Sequence, residues 1–143
     1  MGSEKPQTVL LKDFISGITQ SRDIIVAPFD DREVSIRPLM LKRCLENLIS
    51  NAVKYGDICN LTVRHTPDFL LISVEDDGPG IPEGQRRAVF KAFQRLDEAR
   101  NQNIEGVGLG LSISQDIAQL HGGTILLGDS DLGGLKATLR LPL

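Results

Sequence analysis

The run Leu39–Tyr55, LMLKRCLENLISNAVKY, constrains this chain more than any other stretch. Asn47, Asn51, Lys54 and Tyr55 recur at i, i+4, i+7 and i+8, which is one face of an α-helix. Leu45, Leu48, Ile49 and Ala52 fall largely on the opposite side, where a core would take them. An amide oxygen can coordinate a hard cation while its NH2 group bonds elsewhere. Lys54 can neutralise a phosphate and Tyr55, the only tyrosine, offers a flat surface to a base. That inventory suits a magnesium–nucleotide site. Taken alone, however, the run reads first as a surface helix with Asn and Lys on its wet side.

The rest of the composition narrows the class. At 143 residues, with 41% hydrophobic and 24% charged side chains, the chain is expected to be one globular domain with a real core. A net charge of −3 with no basic block argues against nucleic acid as a partner. Cys44 and Cys59 lack metal-ligand spacing, Cys44 reads as core, and no disulfide framework is indicated, so a reducing, cytoplasmic setting is expected. No apolar run approaches the ~18 residues of a membrane span, and no signal peptide is visible. Met1-Gly2-Ser3 resembles a tag scar.

Apolar periodicity lays out the remaining elements. Thr8 to Leu11 is β-type, Lys12 to Gln20 a helix, and Asp23 to Ala27 and Glu33 to Ile36 are strands. The central helix follows Arg37-Pro38 and stops at Gly56. Leu61 to Thr66 and Phe69 to Glu75 form a hairpin, with the second strand central because both its faces start apolar. A sharp turn at Asp76–Ile81 leads to a short helix over Glu83 to Phe93, then a polar stretch, Gln94 to Val107. Leu109 to Leu120 is helical and stops at His121-Gly122-Gly123, and Thr124 to Leu127 and Leu135 to Leu141 close the chain as a hairpin. Short helices between hairpins, without a regular βαβ series, predict an α+β fold with helices stacked on one face of a mixed, mainly antiparallel sheet.

Two glycine motifs add chemistry. Asp76-Asp77-Gly78-Pro79-Gly80 follows a strand, and a carboxylate there can accept a hydrogen bond from an exocyclic amine such as adenine's. Gly78 and Gly80 let the backbone approach a base; alone, the motif is an ordinary Asp-Gly turn. Gly106-Val107-Gly108-Leu109-Gly110-Leu111 precedes a helix whose free N–H groups and positive end suit phosphates. It is neither a dinucleotide fingerprint, since Leu111 stands where the last glycine belongs, nor a P-loop. Alone, it reads slightly better as a flexible hinge.

In this order, an Asn-bearing helix, D-x-G-x-G, the phenylalanines Phe90 and Phe93, and G-x-G-x-G resemble the ATP-binding domain of sensor histidine kinases. That family sits in a superfamily with gyrase, the heat-shock chaperone ATPases and the mismatch-repair ATPases. The resemblance runs from Arg37 to Leu143. It implies a two-layer α/β sandwich (the Bergerat fold), with ATP held between the helices and a lid. Residues 1–7 would be a tag or linker remnant and 8–143 the catalytic domain. By position, Asn47 and Asn51 resemble the magnesium and phosphate residues, and Lys54 a phosphate contact. Tyr55 resembles the residue packing near adenine and Asp76 the amine acceptor, with Gly78, Gly80 and Ile81 lining the base pocket. Gly106, Val107, Gly108, Leu109, Gly110 and Leu111 would form the lid's phosphate-binding end. Arg95 resembles a lid arginine that reaches the phosphates, Arg100 a weaker candidate for that task, and Glu105 a second metal contact.

The resemblance implies transfer of the γ-phosphoryl group of ATP to a histidine on a separate dimerisation domain, and onward signalling to a response regulator. Asn47, Lys54 and Arg95 would carry the catalysis. Hydrolytic relatives place a glutamate where Asn47 stands, and an amide cannot take a proton, so kinase is favoured over ATP-hydrolysing switch. An inactive nucleotide-binding regulator and an anti-sigma-type serine kinase are two competing possibilities. His65 and His121 read as structural, so the acceptor is expected elsewhere, and the isolated domain is expected to be monomeric. This domain is expected in the cytoplasm, within a full-length protein that could be anchored in the inner membrane.

Overall fold

In the computed structural model, which describes residues 4–20, 22–90 and 105–143, the Asn-bearing run is a single helix. In chain order the elements are β1 (Gln7–Leu10), α1 (Leu11–Thr19), β2 (Ile25–Val26), β3 (Glu33–Ile36) and α2 (Pro38–Tyr55). They continue with β4 (Cys59–His65), β5 (Phe69–Asp76), α3 (Glu83–Phe90), α4 (Glu105–Leu120), β6 (Thr124–Asp129) and β7 (Leu135–Pro142). Five strands make one sheet in the order β2-β4-β5-β7-β6, and β1 pairs with β3 in a separate two-stranded ribbon. Every pairing is antiparallel except β2 with β4. The expected mixed, mainly antiparallel α+β architecture is therefore present.

β5 sits mid-sheet between β4 and β7, which accounts for its apolar start on both faces. Along β7, Leu135, Ala137, Leu139 and Leu141 are buried while Lys136, Thr138 and Arg140 are half-buried, the period of two that one covered face imposes. Against that face lie Leu41, Cys44, Leu45, Leu48, Ile49 and Ala52 of α2 and Leu111, Ile117 and Ala118 of α4. Each fully buried Leu or Ile contributes about 1.5–3 kcal/mol relative to exposure. α2 and α4 also lock to each other. The Ser114 hydroxyl donates to the Cys44 carbonyl at 2.9 Å, and the Cys44 thiol lies 3.5 Å from the Ser114 carbonyl. Burial pushes the Cys44 thiol up to about 12, and Cys44 and Cys59 are both free.

The start of α2 shows how local chemistry sets position. Pro38 occupies the first turn, where its missing N–H costs nothing. Arg37, at the cap position, makes no side-chain cap. Glu4 supplies it instead, its carboxylate accepting the N–H groups of Leu39 at 2.8 Å and Met40 at 2.9 Å, a favourable charge at the positive helix end. The Arg37 guanidinium donates back to the Glu4 carbonyl at 3.0 Å and to the Leu120 carbonyl at 3.3 Å. Glu4 thus caps the beginning of α2, and Arg37, which it holds, reaches the end of α4.

Most element ends shift by one or a few residues from expectation, and three ends have a physical cause in the structure. α2 does end at Gly56, but Gly56 is extended, with φ −126°, rather than left-handed. Its lack of a side chain matters for space: a Cβ there would lie 2.8 Å from an Asp77 oxygen and 3.1 Å from the Asp76 Cβ. β4 begins at Cys59, two residues early, because the chain just before it is pinned to Asp77. α4 begins at Glu105 rather than Leu109, so the run of alternating glycines lies within helix. Each interior glycine costs a helix about 1 kcal/mol relative to alanine, which is why the periodic apolar pattern alone placed the start later. No helix among the described residues is long and apolar enough to cross a membrane.

Candidate functional site

Asp76 is the last residue of β5 and is 5% exposed. Its Oδ1 accepts the Gly78 N–H at 2.9 Å and the Leu135 N–H at 3.2 Å. Among the described residues nothing donates to Oδ2, so one oxygen is held by backbone and the other remains for a ligand. Gly78 packs against the end of α2, where a Cβ would overlap the Tyr55 carbonyl. Gly80 has φ +71°, in the left-handed region that glycine tolerates. Ile81, expected at the base pocket, belongs to the core cluster, and its carbonyl accepts the Arg86 Nε–H at 2.9 Å.

Tyr55 is partly buried against the core, and the Lys54 ammonium lies 5.3 Å from its ring centre, a cation–π distance. Two turns back, the side-chain nitrogens of Asn47 and Asn51 are both buried and have no hydrogen-bond partner among the described residues. Burying an unpaired amide donor costs about 1–3 kcal/mol, so such a pair is expected where a ligand completes the bonding. A Cβ at Gly110 would lie 3.8 Å from Asn51 Nδ2 and 4.0 Å from the Asn47 Cβ. Gly110 of α4 therefore faces the two asparagines across a space that a methyl group would fill at ordinary contact distance.

The donor set fits a magnesium-bound phosphate. Two neutral amides offer oxygens to a hard cation and N–H groups to phosphate oxygens. Two amide oxygens fill only part of the coordination sphere of a hard cation, which phosphate oxygens could complete.

The expected site residues thus form two groups. Gly78 meets the end of α2 at Tyr55, with Asp76 beside Gly56 and Gly80 against Gly134, while Asn47 and Asn51 meet Gly110 of α4. Glu105, Gly106, Val107, Gly108 and Leu109 occupy the first turns of α4, whose leading N–H groups lack helical acceptors. The residues expected as a phosphate-binding loop ahead of the helix are thus the helix start itself. Leu111 is buried in the core, which leaves its side chain no part in lining a pocket. Arg95, Arg100 and Phe93 lie outside the described residues.

Asp77, which no motif reading singled out beyond the turn, organises the other side of the same corner. Its Oδ1 accepts the N–H groups of Asp57 at 2.7 Å and Ile58 at 2.9 Å, fastening the α2–β4 connection beside Asp76. The Ile58 N–H foremost, with those of Asp57 and Asp77 itself, holds the Asp77 carboxyl below the usual carboxylate range. A depressed folded-state pKa adds stability that is complete above the unfolded value of about 3.9 and is lost as pH falls through the folded value. Urea midpoints measured from pH 7 to pH 3 should therefore show wild type more stable than Asp77→Asn at neutral pH, with the gap closing below about pH 4. A gap that widened on acidification would contradict this account. Cys59 faces Asp76 across the ladder, and burial, followed by the nearby Asp76 carboxylate, pushes its thiol up to about 11.

Residues 36–143 match the family described as histidine kinase-, DNA gyrase B- and HSP90-like ATPase. The chain belongs to this family. The ATPase-family domain is 44% identical over 106 residues to the sensor histidine kinase GtrS of Pseudomonas aeruginosa, a match covering 74% of the chain and 22% of GtrS. It is 39% identical over 107 residues to the sensor histidine kinase CpxA of Escherichia coli, covering 74% of the chain and 23% of CpxA. Among solved structures, the ATP binding domain of PrrB from Mycobacterium tuberculosis superposes with a TM-score of 0.79 at 30% identity, over 96% of this chain and 97% of that one. The histidine kinase domain of the E. coli osmosensor EnvZ superposes with a TM-score of 0.72 at 35% identity, over 100% and 92%. The domain spans less than a quarter of the length of the curated relatives GtrS and CpxA.

Proposed function

We propose that this chain is the catalytic module of a sensor histidine kinase. It holds Mg-ATP between α2 and the start of α4 and donates the γ-phosphoryl group to a histidine on a separate dimerisation domain, which in turn serves a response regulator. The observation that carries the reading is the pair of buried, unpartnered amide nitrogens on Asn47 and Asn51 beneath Gly110, on the helix whose far end abuts the Asp76 turn.

In this reading Asp76 Oδ2 accepts the adenine amine and Tyr55 walls the base. Asn47 and Asn51 turn their amide oxygens to the cation and their N–H groups to phosphate oxygens. Lys54 leaves its position over Tyr55 to neutralise phosphate charge, and the first N–H groups of α4 cap the phosphate chain. Bound magnesium would neutralise charge that develops on the transferring group. Arg95, with Arg100 as the weaker candidate, is proposed as the lid arginine, and Glu105 as a second metal contact. Transfer forms a bond from an acceptor imidazole nitrogen to phosphorus as the bond to the ADP oxygen breaks.

Three features support kinase over hydrolase and favour an acceptor on another domain. Asn47 cannot act as a base. Its neighbour Glu46 is engaged by Arg22 at 2.7 Å, with Arg22 also donating to the Ile18 carbonyl. Both nitrogens of the His121 ring are occupied, Nδ1 with the Ile117 carbonyl at 2.9 Å and Nε2 with the Arg37 N–H at 3.0 Å, while His65 lies at the exposed end of β4. The two free, buried thiols suit the cytoplasmic setting proposed for the module.

The deciding experiment mixes the chain with a dimerisation domain from its own full-length protein and γ-labelled Mg-ATP. Label on the acceptor histidine is the expected result. Steady phosphate release by the isolated chain would make it a hydrolytic switch, and bound ATP without transfer would make it a regulator.

A further inference from the structure

The turn joining β6 to β7 carries none of the expected site residues, yet it supplies half of the backbone donors that hold Asp76 Oδ1. The Gly134 N–H donates to the Asp76 carbonyl at 3.1 Å and the Leu135 N–H to Oδ1 at 3.2 Å. The turn is itself braced. The Ser130 N–H donates to the Gly134 carbonyl at 2.8 Å, and the Gly133 N–H to the Ser130 carbonyl at 3.0 Å. The buried Ser130 hydroxyl donates to Glu75 Oε1 at 3.0 Å and accepts the Leu132 N–H at 3.0 Å. A Cβ at Gly134 would overlap Asp76 Oδ1, the Asp76 carbonyl and the Gly78 nitrogen. Gly134 is not among the residues with positive φ, so closeness rather than backbone conformation demands glycine there.

We propose that the Ser130–Leu135 turn is a positioning element for base recognition: Ser130 and Gly134 seat the turn so that the Leu135 N–H fixes Asp76 Oδ1 and Oδ2 alone meets the exocyclic amine of the base. The torsion that turns a carboxylate about its bond is broad and nearly two-fold. A free Asp76 would spend binding energy on stopping that rotation, whereas one fastened by Gly78 and Leu135 has stopped in advance. Gly78 holds Oδ1 from the strand's own continuation, and the hairpin turn holds it from the neighbouring strand. Loosening the turn therefore weakens the amine contact specifically and leaves the phosphate end, on α2 and α4, as it was.

This inference rests on the proposed ATP site, and a chemical cycle separates the two. Dissociation constants are measured by calorimetry for Mg-ATP and for purine riboside triphosphate, which lacks the 6-amino group. Their ratio reports the amine contact alone. In the wild type the ratio is expected to be about tenfold or more, the worth of one charge-assisted hydrogen bond. Gly134→Ala should bring it near unity. Ser130→Ala, which inserts nothing, should lower it about threefold or more, and Ser130→Thr should restore it. Gly128→Ala, in the same hairpin with open space around its Cβ position, should leave it unchanged.

A purely structural turn would weaken both nucleotides equally. An unchanged ratio in Ser130→Ala therefore overturns the inference, even if Gly134→Ala fails to fold. Failure of the wild type to bind either nucleotide would instead overturn the site reading.

Discussion

Asp76→Asn is expected to raise the dissociation constant for ATP about a hundredfold while leaving the domain folded. The amide oxygen can still accept the Gly78 and Leu135 N–H groups that Oδ1 now holds. Its NH2 group must then occupy the Oδ2 position and meet the base amine donor to donor. Losing a charge-assisted hydrogen bond and leaving an unpaired donor together cost about 3 kcal/mol, which is the hundredfold. Asp76→Ala should lose the same affinity and also stability, because two backbone N–H groups are orphaned beside a buried strand end, at about 1–3 kcal/mol each. Calorimetric titration and urea unfolding of both variants separate the effects. Binding by Asp76→Asn within threefold of wild type would remove Asp76 from base recognition.

Asn51→Ala should show the opposite balance. Its amide nitrogen is buried without a partner among the described residues, so deleting it orphans nothing. Stability should hold or rise by up to about 1 kcal/mol, the pattern of a residue kept for chemistry at a cost in stability. Single-turnover transfer of the γ-phosphoryl group to the acceptor domain should fall about 10²–10³-fold, the usual effect of removing one preorganised group that stabilises developing charge. ATP affinity should fall less than tenfold, since Asp76 and the backbone donors remain. A variant that lost several kcal/mol of stability but transferred phosphate normally would make Asn51 a structural residue.

These two predictions bear on residues that were legible from spacing. Asn47 and Asn51 are one helical turn apart, and an amphipathic run of that length with proline at its start has one reasonable conformation. The strands around Pro67-Asp68 and the closing hairpin were equally plain, because one covered sheet face forces alternation. What misled was local propensity. Alternating glycines argue against helix, yet residues 105–110 are helical in α4; Gly110, at least, lies against the asparagine face, and packing there outweighs a propensity cost of about 1 kcal/mol per glycine. Leu111 looked like part of the phosphate-binding run because it adjoins the motif, and its burial in the core is a matter of which way the helix is rotated.

The sequence by itself determined which side chains could recognise a nucleotide and on which elements they ride, because helix and strand periods are set within a few residues. Only the tertiary structure decided what holds them. Glu4 caps α2 from 35 residues away, counted to Leu39. Asp77 fastens the start of β4 across a gap of 19 residues to Ile58. Leu135 pins Asp76 from 59 residues downstream. Such partners are chosen by chain crossings and sheet register, and the backbone N–H that each carboxylate finds carries no side-chain signature by which a sequence could announce it.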